Sequence, residues 1–259
     1  MAPRPVPLPA AFRKTPIAHR GYHSLADGRP ENSLAAFRAA IGAGYGIELD
    51  VQQSADGQAM VFHDDDLDRL TNATGPVKEH SAAELQALAL HGSDDRIPTL
   101  DEVLAVVAGR VPLLIEIKEN LGTMGETGGR LEQATAKALA AYNGPVAVMS
   151  FNPHCVMHMA RLAPDVPRGL TTEAYDPQHN APIPVTVCER LRGIPDYDAT
   201  GSSFISHQAS DLGRPRVADL KARGAAILCW TIQSPQAEAQ ARQIAQNITF
   251  EGYPAIIPA

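Results

Sequence analysis

Glu48 and Asp50 stand two residues apart in an otherwise aliphatic run, Gly46-Ile-Glu-Leu-Asp-Val51. In an extended strand, side chains at i and i+2 share a face, so both acids point one way while Ile47, Leu49 and Val51 point the other. Glu116 and Lys118 repeat the pattern in Leu113-Leu-Ile-Glu-Ile-Lys118, opposite Ile115 and Ile117. Acids on the inner side of a sheet are costly unless paired or metal-bound. One Glu–Lys strand alone reads most simply as a buried ion pair. Two strands with charge on one face and aliphatic residues on the other shift the reading toward a site. Glu48, Asp50 and Glu116 make an all-oxygen donor set of the kind that takes Mg²⁺ or Ca²⁺, whereas zinc would recruit His or Cys.

Two histidines close other apolar runs: His19 in Ile17-Ala-His-Arg-Gly21 and His63 in Met60-Val-Phe-His-Asp64. Imidazole titrates near neutrality, so a pair flanking a scissile bond can divide the work of base and acid. Arg20 offers a planar fork matched to phosphate oxygens. Gly21 permits a tight turn or a close backbone approach.

Strand-like runs occur at Ile17–His19, Gly46–Val51, Met60–His63, Leu113–Lys118, Val146–Phe151, Arg168–Thr172, Ser203–His207, Ala226–Thr231 and Ile248–Phe250. Helices are expected between them. Ser33–Ala43 places Leu34, Phe37 and Ile41 on one face. Ser81–Leu90 opens on a Ser81/Glu84 capping box, and Thr99–Ala108 has Asp101 and Glu102 in its first turn. Further helices are expected at Arg130–Tyr142, Pro153–Leu162, Pro215–Arg223 and Pro235–Gln246. Such alternation over 259 residues predicts an α/β chain folded as a (β/α)8 TIM barrel, one domain over 1–259 with a small insertion after the second strand at about 64–98. An open doubly wound sheet is the alternative; no GxGxxG follows the first strand, so a dinucleotide-binding version has no support. The Gly-rich stretch 119–130 reads as a linker or as a lid over a site.

Composition narrows the class. With 44% hydrophobic and 20% charged residues the chain has material for a sizeable core. A net charge of −7 leaves no basic footprint for nucleic acid or anionic membrane, although local cations or a metal can still attract a small anion. Cys155, Cys188 and Cys229 form no CxxC pair and read as reduced structural thiols. The start carries no signal-peptide pattern and no run reaches the ~18 apolar residues of a membrane helix, so a cytoplasmic enzyme without an integral membrane segment is expected. Nothing in the sequence specifies the oligomeric state.

The ordered series His19-Arg-Gly, Pro30-Glu-Asn-Ser33, Phe37, Ile47-Glu-Leu-Asp-Val51, Asp56-Gly57, Val61-Phe-His-Asp64 with Leu67, Arg69 and Thr71, Ile97-Pro-Thr-Leu100 and Glu116-Ile-Lys118 resembles the glycerophosphodiester phosphodiesterase family. The match is dense from Ile17 to Lys118 and continues more weakly through Ser150-Phe-Asn152 and Cys229-Trp-Thr231. The resemblance implies a TIM-barrel, metal-dependent phosphodiesterase that hydrolyses a glycerophosphodiester to sn-glycerol 3-phosphate and an alcohol. By it, His19 and His63 are the acid/base pair, Glu48, Asp50 and Glu116 ligate one divalent cation (Mg²⁺ or Ca²⁺), Arg20 and Lys118 contact phosphate, and Trp230 lies near the glycerol or leaving group. The nucleophile is water or the substrate's own 2-hydroxyl. Competing readings on the same scaffold are a lysophospholipase D or sphingomyelinase D-like enzyme and, from another class, a non-catalytic module that holds a phosphorylated ligand. The chain departs from the family at Ile248-Thr-Phe-Glu-Gly-Tyr-Pro254, where members commonly have Thr-Asp and then Pro, so the closing helix is expected to be short or absent.

Other polar residues have simpler readings. His154 and His158 are four apart but lack the glutamate of H-E-x-x-H, so a packed or solvated helix face is expected. Asp64, Asp65, Asp66 and Asp68 imitate an EF-hand start, but Arg69 stands where its glycine is required. Asp64 could instead orient His63. Glu31 and Asn32 either fix the loop that holds His19 or, for Asn32, cap the next helix. His207 reads as structural, and His23 as a loop residue near the site.

Overall fold

The computed structural model describes residues 3–119 and 122–258. A short helix α1 (Ala11–Lys14) precedes strand β1 (Ile17–Ala18), helix α2 (Leu34–Ala43), strand β2 (Gly46–Gln53) and strand β3 (Ala59–Val61). Helices α3 (Ala82–Ala87) and α4 (Leu100–Val107) lead to β4 (Leu113–Ile117), α5 (Arg130–Leu139), β5 (Val146–Ser150), α6 (Pro153–Leu162) and β6 (Arg168–Thr172). Then come α7 (Val185–Arg192), β7 (Phe204–Gln208), α8 (Pro215–Ala222), β8 (Ala226–Ile232), α9 (Pro235–Ala241) and β9 (Asn247–Phe250).

Eight parallel strands, β1, β2 and β4 to β9, close on themselves because β1 pairs with β2 on one side and β9 on the other. This is the TIM barrel expected from the alternation. The run Met60–His63 is the exception to a uniformly parallel reading. Its strand β3 pairs antiparallel with β2, Val51 opposite Val61, and lies outside the barrel. Segment 64–98, with α3 in it, has its own apolar cluster built from Met60, Phe62, Leu67, Val77, Leu85 and Ile97.

Strand faces sort as the i, i+2 pattern demands. Ile47, Leu49, Val51, Ile115 and Ile117 join the main cluster beneath the helices. Inward residues divide by height. Ile17, Leu114, Ala147, Phe204, Ala226 and Leu228 form an apolar floor, closed from below by Leu8 and Phe12. Above it the inner face turns polar with Glu48, Asp50 and Glu116. Register places Glu48 beside Leu114 and Asp50 beside Glu116, so two acids meet at one height near the strands' C-terminal ends.

Capping accounts for several helix starts. Both Ser81/Glu84 and Thr99/Glu102 form complete capping boxes. Ser33, not Asn32, caps α2: its hydroxyl accepts from the Ala36 N–H at 3.1 Å, which leaves Asn32 for the site. Helix α7 gave no sequence signal because only Cys188 and Leu191 of its eight residues are buried, too few to set a periodicity. No helix follows β9 among the described residues, and none of the described helices is long and apolar enough to cross a membrane. Cys155, Cys188 and Cys229 are buried and free.

Candidate active site

All eight side chains singled out from the sequence, His19, Arg20, Glu48, Asp50, His63, Glu116, Lys118 and Trp230, line one cavity of about 130 Å³ at the barrel mouth, together with Met149, Phe151, Thr231 and Thr249. Strand ends deliver them. Glu48 and Asp50 come from β2 and Glu116 from β4, with Lys118 one residue beyond. His19 and His63 follow the ends of β1 and β3.

The backbone around Arg20 is bent to suit. Arg20 and Asn32 both hold positive φ, 51° and 55°, a left-handed conformation that costs a non-glycine residue roughly 1–2 kcal/mol. Hydrogen bonds offset the cost. The Arg20 N–H donates to Glu48 Oε2 at 2.9 Å, and the Asn32 N–H donates to the Arg20 carbonyl at 2.9 Å. Gly21 follows at φ 81°, where a Cβ would lie 2.9 Å from both Ala36 Cβ and Phe37 Cδ1. Only glycine fits that turn.

Each buried acid has defined partners. Asp50 accepts from Lys118 Nζ at 2.8 Å and Asn32 Nδ2 at 2.9 Å, with Arg20 Nε 3.5 Å away. Glu116 also pairs with Lys118. Burial alone would raise the Asp50 pKa; Lys118, His63 and Arg20 reverse that and hold it below the usual carboxylate range. The Glu48 carboxyl goes the other way: burial, then Asp50 and Glu116, push it well above its ordinary value. Lys118 is pressed down by burial but more strongly held protonated by Asp50 and Glu116. Ionising all three acids would put more negative charge here than Lys118 and Arg20 balance, and Glu48 is the acid that resists ionisation.

Oxygen atoms of Glu48, Asp50 and Glu116 all lie within 4.8 Å of one another. Three buried carboxylates converging this closely, one of them destabilised as an anion, fit a hard divalent cation held by oxygen. Cys and His are absent from the set, which disfavours zinc there.

Both histidines are backed by carboxylates. Glu251 Oε2 lies 2.6 Å from His19 Nδ1, and Asp64 Oδ1 lies 2.7 Å from His63 Nδ1. An ionised carboxylate only accepts, so Nδ1–H donates in each ring and Nε2 remains free for the cavity. His19 pulls the Glu251 pKa far below the usual range, aided by His23 and Gln233. Asp64 is brought to about 2: burial raises it, but Arg69 and His63 lower it more. Burial lowers the His63 pKa, and so does Lys118, while Asp50 and Asp64 oppose them. Arg69 links the pieces: it donates to Asp64 at 2.6 Å and to Glu31 at 2.7 Å, and Arg20 donates to the same Glu31 at 2.7 Å. Glu31 and Asp64 are thus braces rather than cavity walls. The amide of Gln52 fixes the loop by donating to the carbonyls of His63 and Asp64, both at 3.0 Å.

Trp230 donates its indole N–H to the Ser206 carbonyl at 3.0 Å and packs edge-on to Phe151 at 5.4 Å. His207 is fully buried between Thr172 and Asp211 and stays out of the cavity. His23 reaches Glu251 at 3.5 Å. Glu251 was missed in the sequence. It stands one residue past β9, two beyond the cavity-lining Thr249, so an i, i+2 count carried past the strand end would have flagged it.

A closed parallel barrel whose mouth collects acids, carboxylate-backed histidines and two cations around a small cavity defines an enzyme of the phosphodiester hydrolase class. Residues 19–249 match the glycerophosphoryl diester phosphodiesterase family model, and the chain belongs to that family. Among relatives, YhdW of Bacillus subtilis is 29% identical over 93% of this chain and 95% of its own. A glycerophosphodiester phosphodiesterase of Caldanaerobacter subterraneus is 35% identical over 64% of this chain and 70% of its own. Among solved structures, an Oleispira antarctica phosphodiesterase in complex with the product sn-glycerol-3-phosphate superposes with a TM-score of 0.77, at 26% identity over 95% of each chain.

Proposed function

We propose that this protein hydrolyses glycerophosphodiesters to sn-glycerol 3-phosphate and an alcohol, with His19 and His63 as acid/base pair and one divalent cation, Mg²⁺ or Ca²⁺, held by Glu48, Asp50 and Glu116. The observation that carries the reading is the convergence of two free imidazole Nε2 atoms, three acids and two cations on one cavity. The product bound by the Oleispira antarctica relative supports the substrate class.

Arg20 and Lys118 bind the phosphate and offset its charge, which lets a nucleophile approach and then stabilises charge growing on the phosphoryl oxygens. When bound, the cation adds Lewis-acid polarisation of a phosphoryl oxygen. One histidine accepts the nucleophile's proton at Nε2, and the other donates a proton from Nε2 to the departing alkoxide. Glu251 and Asp64 hold the rings in that tautomer. Trp230 and Phe151 supply a flat apolar wall for the glycerol or the first carbons of the leaving group.

The test is ³¹P NMR of the chain with glycerophosphocholine and a panel including lysophosphatidylcholine, with Mg²⁺, with Ca²⁺ and with EDTA. Conversion to glycerol 3-phosphate that EDTA abolishes, and that Glu116→Gln reduces at least about 100-fold, is expected. Turnover indifferent to EDTA refutes the metal assignment, and turnover confined to lysophosphatidylcholine refutes the substrate class.

A further inference from the structure

The cavity has two unlike halves. The first part of the chain, up to Lys118, gives one half its acids, histidines and cations; β5, β8 and β9 give the other Met149, Phe151, Trp230, Thr231 and Thr249, none of them charged. The aromatic part of this second half is held in place, with the Trp230 N–H on the Ser206 carbonyl at 3.0 Å and Phe151 edge-on at 5.4 Å. Thr249 is its odd member. The residue is 1% exposed, and its hydroxyl oxygen is buried with no hydrogen-bond partner among the described residues. Two other inward strand hydroxyls, those of Thr171 and Ser206, are also buried and unpartnered, but neither lines the cavity. A buried hydroxyl without a partner is unfavourable. One kept against a ligand cavity points to a partner that arrives with the ligand.

Depth indicates which part of the ligand that is. Thr249 pairs in register with Ile17, a residue of the apolar floor, whereas His19 stands two residues further toward the mouth. Thr249 is therefore rooted one i, i+2 step deeper than His19, where the inserted end of a substrate comes to rest. We propose that Thr249 is a specificity residue: its hydroxyl hydrogen-bonds a hydroxyl of the glycerol half and makes the chain prefer glycerol esters to phosphodiesters of simple alcohols. The inference rests on the proposed phosphodiesterase reading. Phosphate belongs with Arg20 and Lys118 in the charged half. A threonine hydroxyl donates once and accepts twice without charge, which suits a neutral alcohol group. Glycerol hydroxyls lose water on entry, and beside Met149, Phe151 and Trp230 the remaining polar side chain is the half-buried Thr231. An alcohol lacking those hydroxyls would leave Thr249 dry and unpaired, which is how a polar site rejects an apolar analogue.

The test compares kcat/KM for glycerophosphocholine and for propylphosphocholine, which keeps the three-carbon chain and lacks both free hydroxyls. Native chain, Thr249→Val and Thr249→Ser are assayed, with a thermal melt as fold control. Valine keeps the shape of threonine and removes the hydroxyl; serine keeps the hydroxyl. The native preference for glycerophosphocholine should fall at least about threefold in Thr249→Val, through the glycerol ester alone, and by less than that in Thr249→Ser. A smaller fall in Thr249→Val rejects the assignment, as does an equal loss on both esters or a native chain that treats the two alike. Should Thr249→Val fail to fold, Thr249→Ala takes its place under the same threshold. Each of these failures leaves hydrolysis of glycerophosphocholine by the native chain standing. A native chain that turns over neither ester instead overturns the phosphodiesterase reading, and this inference with it.

Discussion

Replacing Glu251 with Gln keeps the side chain's shape and removes its charge. In the native chain its carboxylate takes the His19 Nδ1 proton at 2.6 Å, with Gln233 Nε2 on its other oxygen at 2.7 Å. A hydrogen bond to a charged group contributes about 1.5–3 kcal/mol. With His19 and Glu251 16% and 23% exposed, solvent screening favours the lower half, about 1.5–2 kcal/mol. If that energy is expressed when His19 becomes an imidazolium, kcat/KM falls by about 10–30-fold. Glu251 does not line the cavity, so the loss should lie in kcat with KM little changed. The assay is release of glycerol 3-phosphate from glycerophosphocholine across a pH series, with a thermal melt as control. A variant within twofold of the native kcat/KM refutes the proposed role of Glu251 in holding His19. So does a loss of activity that tracks a fall in Tm.

His19→Ala and His63→Ala should each lower turnover by roughly 10²–10⁴-fold with the fold intact, and near-native turnover in either removes that residue from the acid/base pair. The Asp64 pKa of about 2 against an ordinary 3.8 means that its pairing with Arg69 and His63 stabilises the fold above about pH 4 and is lost as pH falls through about 2. A fully enclosed pair would contribute about 2.4 kcal/mol, but Arg69 is 48% exposed, which reduces the figure to about 1 kcal/mol. Urea unfolding should show Asp64→Asn less stable by that amount at pH 7, with the gap narrowing by pH 3; a gap that is constant with pH contradicts the linkage. Gly21→Ala forces a side chain into φ 81° against Ala36 and Phe37, and should cost about 1–3 kcal/mol, or roughly 3–10 °C in Tm. An unchanged melt means the turn relaxes freely.

Much of the site was legible because buried charge on a strand is rare enough to stand out. The alternation in Ile47–Val51 and Leu113–Lys118 placed four charged groups on an inner face before any contact was known. His19 and His63 were found at the ends of apolar runs, where barrel chemistry gathers. Long-range partners were harder. Glu251 meets His19 from the opposite end of the chain, and no local pattern couples them. Asn32 and Ser33 both have capping side chains, so sequence could not say which one caps α2 and which one reaches Asp50. Periodicity also carries no strand direction, so β3 looked the same as its parallel neighbours. Glu126 beside the α6 histidines is the same problem again: the helix pattern shows two imidazoles, and only the fold brings the carboxylate that pairs with both.

The apolar plug beneath Glu48 and Glu116, with Leu8 and Phe12 packed against it, closes the lower end of the barrel interior. On the proposed chemistry both products leave by the barrel mouth through which the diester enters, so a phosphomonoester held by Arg20 and Lys118 would obstruct the next arrival. A cavity of about 130 Å³ cannot enclose a long diester, so on the same reading the distal part of the alcohol would stay outside the mouth, where bulk is cheap. On the proposed chemistry, the dead end thus makes the enzyme exacting about the end it swallows and forgiving about the end it does not.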